Sequence, residues 1–75
     1  QNDLNGAYGY ASKLLEVQPN NSQAHYVMGV VMAQAGKMDE AKKYINQALK
    51  LNPDFVQART ILQQLEMATK GKGSS

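Results

Sequence analysis

The chain has 75 residues and a mass of 8.2 kDa, is 43% hydrophobic and contains no cysteine. That length holds one small domain or a few structural repeats and buries only about 60% of the surface an unfolded chain exposes. The missing cysteines exclude a disulfide framework and a thiolate metal site as stabilising devices.

Eight Lys/Arg against six Asp/Glu give a formal charge of +2 and a pI near 9.0. The excess is local: Lys70 and Lys72 lie in the Gly/Ser-containing stretch 70–75, and residues 1–69 carry six basic and six acidic side chains. A neutral body argues against a nucleic-acid partner, which would want a basic stripe with interleaved aromatics. The stretch 70–75 has the composition of a flexible tail. The chain opens on Gln1 with no basic region ahead of an apolar one, and the apolar run from Val27 to Ala35 is interrupted by Gly29 and Gln34. It is too short for a bilayer, so a soluble location, cytoplasmic or periplasmic, without direct membrane insertion is expected.

In chain order, four helices are predicted near 4–17, 22–35, 38–51 and 55–69. Ala24, Val27, Met28, Val31 and Met32 recur at steps of three and four, and after the Gly36-Lys37 break so do Ala41, Tyr44, Ile45, Ala48 and Leu49. Ser22, following Asn20-Asn21, is positioned to cap the second helix, and Asp39-Glu40 place carboxylates at the positive start of the third. Pro53 ends the third helix and Asp54 can cap the fourth. Short connections between helices imply antiparallel neighbours.

An internal repeat organises these elements. An offset of 34 residues pairs Ala7 with Ala41, Tyr10 with Tyr44, Leu15 with Leu49, Pro19 with Pro53, Gln23 with Gln57 and Ala24 with Ala58. The same register aligns Leu4 with Met38, Val17 with Leu51, Val27 with Ile61, Met28 with Leu62 and Val31 with Leu65.

On these residues the segment 22–55 resembles one complete tetratricopeptide repeat. Gly29, Ala41 and Ala48 match its small positions, Gly36 its turn, Asp39-Glu40-Ala41 the start of its second helix, Tyr44 a bulky position and Leu51-Asn52-Pro53 its exit. His25, Met32 and Ile45 stand where the family favours Trp, Tyr and an aromatic. The resemblance implies an all-α fold, with antiparallel helix pairs of a right-handed solenoid. Residues 1–21 would be the second helix of a preceding repeat, 22–55 the complete repeat, 56–69 a C-terminal capping helix and 70–75 the tail.

The two ends carry different expectations. In the last helix Gln63 replaces the small residue and Glu66 a core residue, which suits a solvated cap. In the first helix Ala7, Ala11 and Leu14 form the stripe a preceding helix should cover, so the chain reads as part of a longer array. With that stripe bare, self-association or helix swapping is expected of the isolated chain.

Catalytic and cofactor readings find little support. There is one histidine, His25, with Met28 and Gly29 at the i+3 and i+4 places where a second ligand would stand. Its bulky packing position favours a structural role. Met28, Met32, Met38 and Met67 fall at helical spacing and read as core filling. Lys42-Lys43 beside Asp39 and Glu40 form an ordinary solvated face. A non-catalytic chain without cofactor or metal is therefore expected.

Recognition of a protein or peptide is what the family resemblance implies, through a concave groove lined by the first helix of each pair. Carried over by position, the groove residues are Gln23, Tyr26, Val30 and Ala33, followed by Gln57, Thr60, Gln64 and Met67. Tyr26, large and rigid with a polar tip, is the candidate anchor. The alternative is that Tyr26 and Val30 pack on a neighbouring repeat or a second chain, since Tyr26, Val27, Val30 and Val31 make their helix apolar almost all round. Family members that grip the C-terminal carboxylate of heat-shock chaperones use Lys, Asn and Arg side chains. The corresponding places hold Tyr26, Val30, Val27, Gln57 and Ile61, so no carboxylate clamp is expected.

Overall fold

A computed structural model of the chain describes residues 4–73, with side chains described over 5–68. It contains four helices, α1 (Leu4–Val17), α2 (Ser22–Gln34), α3 (Met38–Leu51) and α4 (Val56–Gly73). No strand occurs among the described residues. Each helix packs on the next in chain order, and α2 also touches α4 directly.

Small residues set the helix spacing. Ala11, Ala24, Ala41, Ala48 and Ala58 are fully buried, and Ile45 is the largest side chain with no exposed surface. Burying an isoleucine of this kind contributes about 2 kcal/mol, and methyl-sized neighbours let the helix axes close on it. Gly29 completes the contact. A Cβ there would overlap the Ile45 side chain and lie 3.2 Å from the Ala41 carbonyl oxygen, so only a glycine lets α2 reach α3.

The turn between α2 and α3 needs its other glycine for a different reason. Gly36 has φ +84°, the left-handed conformation that L side chains avoid. Its N–H donates to Ala33 O at 3.1 Å while the Lys37 N–H donates to Met32 O at 2.8 Å. This pair of bonds satisfies two carbonyls that the helix end leaves over, a Schellman closure.

The helix starts depart from the sequence reading. Asn21, and not Ser22, is the N-cap of α2: its Oδ1 accepts from the Ala24 N–H at 2.9 Å, and Ser22 is already the first helical residue. At α4 the Phe55 carbonyl accepts from the Arg59 N–H at 3.1 Å, which puts Phe55 in the place expected for Asp54. Asp54 instead sits inside the turn, its N–H donating to Asn52 Oδ1 at 3.3 Å. In both cases an asparagine, Asn21 two residues after Pro19 or Asn52 directly before Pro53, takes the local side-chain bond first. Asp39 and Glu40 do stand in the first turn of α3, where the helix dipole favours them.

The expected tail also changes. Helix α4 runs to Gly73, so residues 70–73 continue the helix where a flexible stretch from 70 is expected, and 74–75 lie outside the described residues. No proline interrupts this stretch. None of the described helices is long and apolar enough to cross a membrane.

Candidate interaction groove

The contact between α2 and α4 brings the eight groove candidates onto two neighbouring helices. On α2, Gln23 is exposed and Tyr26, Val30 and Ala33 are half-buried. On α4, Gln57, Thr60, Gln64 and Met67 are all exposed. None of the eight is charged. The surface therefore offers amide and hydroxyl groups able to donate and accept, beside apolar side chains.

Tyr26 is held from below. Its ring lies 5.0 Å from that of Phe55, tilted by 39°, and both rings rest on the core formed by Ala41, Ile45, Ala48, Ala58 and Leu65. Such a pair contributes about 1 kcal/mol beyond the area it buries. Phe55 is absent from the sequence-derived set, although the repeat offset marks it: it aligns with Asn21, so an aromatic stands where the other repeat has a capping amide. Its consequence is a Tyr26 ring fixed at the junction of α2, α4 and the turn before α4.

His25 faces the other way, towards α3. Its Nε2–H donates to Pro19 O at 2.9 Å, which leaves Nδ1 as an acceptor, and that nitrogen is buried without a partner. The ring lies 6.2 Å from Tyr44. Beside it is an open hollow of about 440 Å³ lined by His25, Glu40, Lys43, Tyr44 and Gln47. No nucleophile stands among these residues, and no group of three or more described His, Cys, Asp or Glu side chains could hold a metal ion.

The first helix is covered in part. Of the stripe Ala7, Ala11 and Leu14, Ala11 is fully buried and the other two are half-buried. Helix α2 packs on this side of α1, and a methyl group is small enough to disappear beneath it. The exposed apolar surface of α1 consists instead of Tyr8, Tyr10 and Val17, at 46%, 62% and 73% exposure. Tyr10, Lys13, Leu14 and Val17 line an apolar hollow of about 230 Å³ on it.

With four helices in a 34-residue register, a glycine at the α2–α3 contact and a proline after α1 and α3, the comparison with known families is decisive. The model of the tetratricopeptide repeat family matches residues 1–65. This chain belongs to that family. A curated relative, the DnaJ homolog subfamily C member 7 homolog of Schizosaccharomyces pombe (strain 972 / ATCC 24843), is 34% identical over 76 aligned positions. The alignment takes in 99% of this chain and 16% of the relative, so the chain spans about one-sixth of that protein's length. No solved structure matches the chain significantly. Repeats of this family serve generally as helical interaction modules without catalytic function, and protein partners are the class they recognise.

Proposed function

We propose that the groove formed by α2 and α4 binds an uncharged extended segment or helix of a protein partner, without catalysis. The observation that carries this reading is the uncharged row Gln23, Tyr26, Val30, Ala33, Gln57, Thr60, Gln64 and Met67, with Tyr26 anchored on Phe55. A rigid aromatic loses little rotamer freedom on binding, and flanking amides can pair with an extended peptide backbone. With Tyr26, Val30, Val27, Gln57 and Ile61 at the places a carboxylate clamp would use, an acidic chain end gains no charge-assisted bonds here.

The test is fluorescence-anisotropy titration of peptide pools that differ in charge. Neutral amphipathic peptides bind, acidic C-terminal tails do not, and the exposed change Gln57→Glu weakens binding without altering helicity. Tyr26→Ala weakens it about tenfold or more, as loss of an anchor does. Equal binding of acidic tails, or binding indifferent to both substitutions, rejects the groove.

A second reading is self-association of the 75-residue chain. Its support is the exposed apolar face of α1 around Tyr10 and Val17.

A further inference from the structure

The hollow beside His25 shares no residue with the groove and is formed entirely by the assembled α2–α3 pair. Both members of that pair have a further neighbour, since α1 packs on α2 and α4 on α3. One lining residue, His25, comes from α2, and four, Glu40, Lys43, Tyr44 and Gln47, come from α3. Their spacing on α3 is i, i+3, i+4 and i+7, which sets the four side chains on one face over two turns, about 10 Å. Ala41, Ile45 and Ala48 of the same helix are fully buried, so the core fixes the direction in which this ridge points.

The hollow combines unpaired charge with aromatic surface. Glu40 and Lys43 stand one turn apart, a spacing at which such residues pair on helices, yet among the described residues neither has a hydrogen-bond or ion-pair partner. The amide of Gln47, a half-buried residue, has none either. The rings of His25 and Tyr44, both half-buried, lie 6.2 Å apart and are tilted by 34°. His25 is held by its Nε2 bond to Pro19 O, and its Nδ1 is buried, so it offers the hollow ring surface and no free nitrogen.

We propose that this hollow binds a small zwitterion, a free α-amino acid with an aromatic side chain. An anion would gain Lys43 and face Glu40, and a cation would gain Glu40 and face Lys43. An α-amino acid carries its ammonium and carboxylate on a single carbon, so it meets both residues at once and leaves neither charge opposed. The Tyr44 ring adds cation–π attraction for the ammonium, and the Gln47 amide can donate to the carboxylate or accept from the ammonium. The ligand's own ring lies against those of Tyr44 and His25. A volume of about 440 Å³ is within the range of small-molecule sites. Glu40 and Lys43 are exposed, so each charge contributes modestly and the affinity is weak, in the millimolar range.

Titration of the full chain with L-phenylalanine, followed through the ring-proton resonances of His25 and Tyr44, tests this. Saturable shifts are expected at both rings. N-acetyl-L-phenylalanine, which lacks the ammonium, and L-phenylalaninamide, which lacks the carboxylate, each bind about fivefold more weakly. Two substitutions assign the contacts. In Glu40→Gln the free and acetylated ligands bind alike, and in Lys43→Gln the free and amidated ligands bind alike, because each variant removes the partner of the group that the ligand has lost. Glu40 also meets the dipole at the start of α3. Should Glu40→Gln lose helicity by circular dichroism, the Lys43→Gln comparison, at an exposed position inside the helix, decides alone. The proposal is overturned by equal affinity for the three ligands, by the absence of saturable shifts at His25 and Tyr44, or by an amide that binds more weakly than L-phenylalanine in Lys43→Gln as well. Shifts at Tyr26 and Phe55 in their stead would place the ligand in the groove and likewise overturn it.

Discussion

Helices α2 and α4 occupy the same place in successive repeats, yet their surroundings differ. Helix α2 has α1 on one side and α3 on the other, and it buries Ala24, Met28, Gly29 and Val31. Helix α4 is flanked by α3 and touches α2, and among its described side chains it buries Ala58 and Leu65. The buried pair is common to both, since Ala58 aligns with Ala24 and Leu65 with Val31. The difference lies at the two places where α2 turns to its own second helix: Met28 and Gly29 there become Leu62, half-buried, and Gln63, exposed. One face of this repeat helix is thus shared by both copies, and the other is tailored to what covers it.

The sharpest way to break the comparison is to place the same kind of side chain at both sites. Gly29→Ala gains about 1 kcal/mol of helix propensity but forces a methyl group into Ile45, at an overpacking cost of about 3 kcal/mol. Ile45 is fully buried and the Ala41 carbonyl is close behind, so neither neighbour can retreat. A net loss of about 2 kcal/mol is expected in urea denaturation, partly recovered in the double variant Gly29→Ala/Ile45→Val. The reverse exchange on α4, Gln63→Gly, loses only the propensity term, about 1 kcal/mol. Equal losses at the two positions would mean that Gly29 is not a packing glycine.

The turns come next in size. Gly36→Ala puts a Cβ on a residue with φ +84° and should cost about 1 kcal/mol, with no clash involved because nothing lies within 4 Å of the new methyl. Asn21→Ala removes the side-chain bond to the Ala24 N–H and should likewise cost about 1 kcal/mol, whereas Ser22→Ala, one residue inside the helix, should be close to neutral. Thermal denaturation of the three variants separates these expectations. A Ser22→Ala loss as large as that of Asn21→Ala would restore the serine cap.

How far the sequence carries the fold follows from these same residues. The 34-residue register, the four helices and the proline exits come from spacing and breakers, which act locally and can be read along the chain. The identity of a cap depends on which of two adjacent polar side chains reaches a free N–H, a matter of fractions of an ångström that spacing does not resolve between Asn21 and Ser22. The groove candidates fall on adjacent helices because the register fixes their faces, but the support of Tyr26 by Phe55 is a contact across a turn that no periodicity encodes. The burial of Ala11 is of the same kind. A stripe read on an isolated helix shows which side chains are apolar, and only the angle at which α2 crosses α1 decides which of them it covers.

The smallest expected effect concerns the two carbonyl contacts that mark the repeat. His25 and Arg59 each donate to the proline carbonyl six residues earlier, at 2.9 and 2.8 Å. Both bonds are exposed, and an exposed bond contributes well under the usual 1 kcal/mol because water competes for the same carbonyl. His25 also packs its ring near Tyr44, and this contact outweighs the cost of its buried, unpartnered Nδ1, so His25→Ala should cost about 1 kcal/mol and Arg59→Ala about 0.3 kcal/mol. His25→Gln keeps a donor within reach of Pro19 and should recover part of the loss. If His25→Gln left thermal stability untouched and yet abolished peptide binding, the histidine would belong to a binding site and its structural assignment would fall.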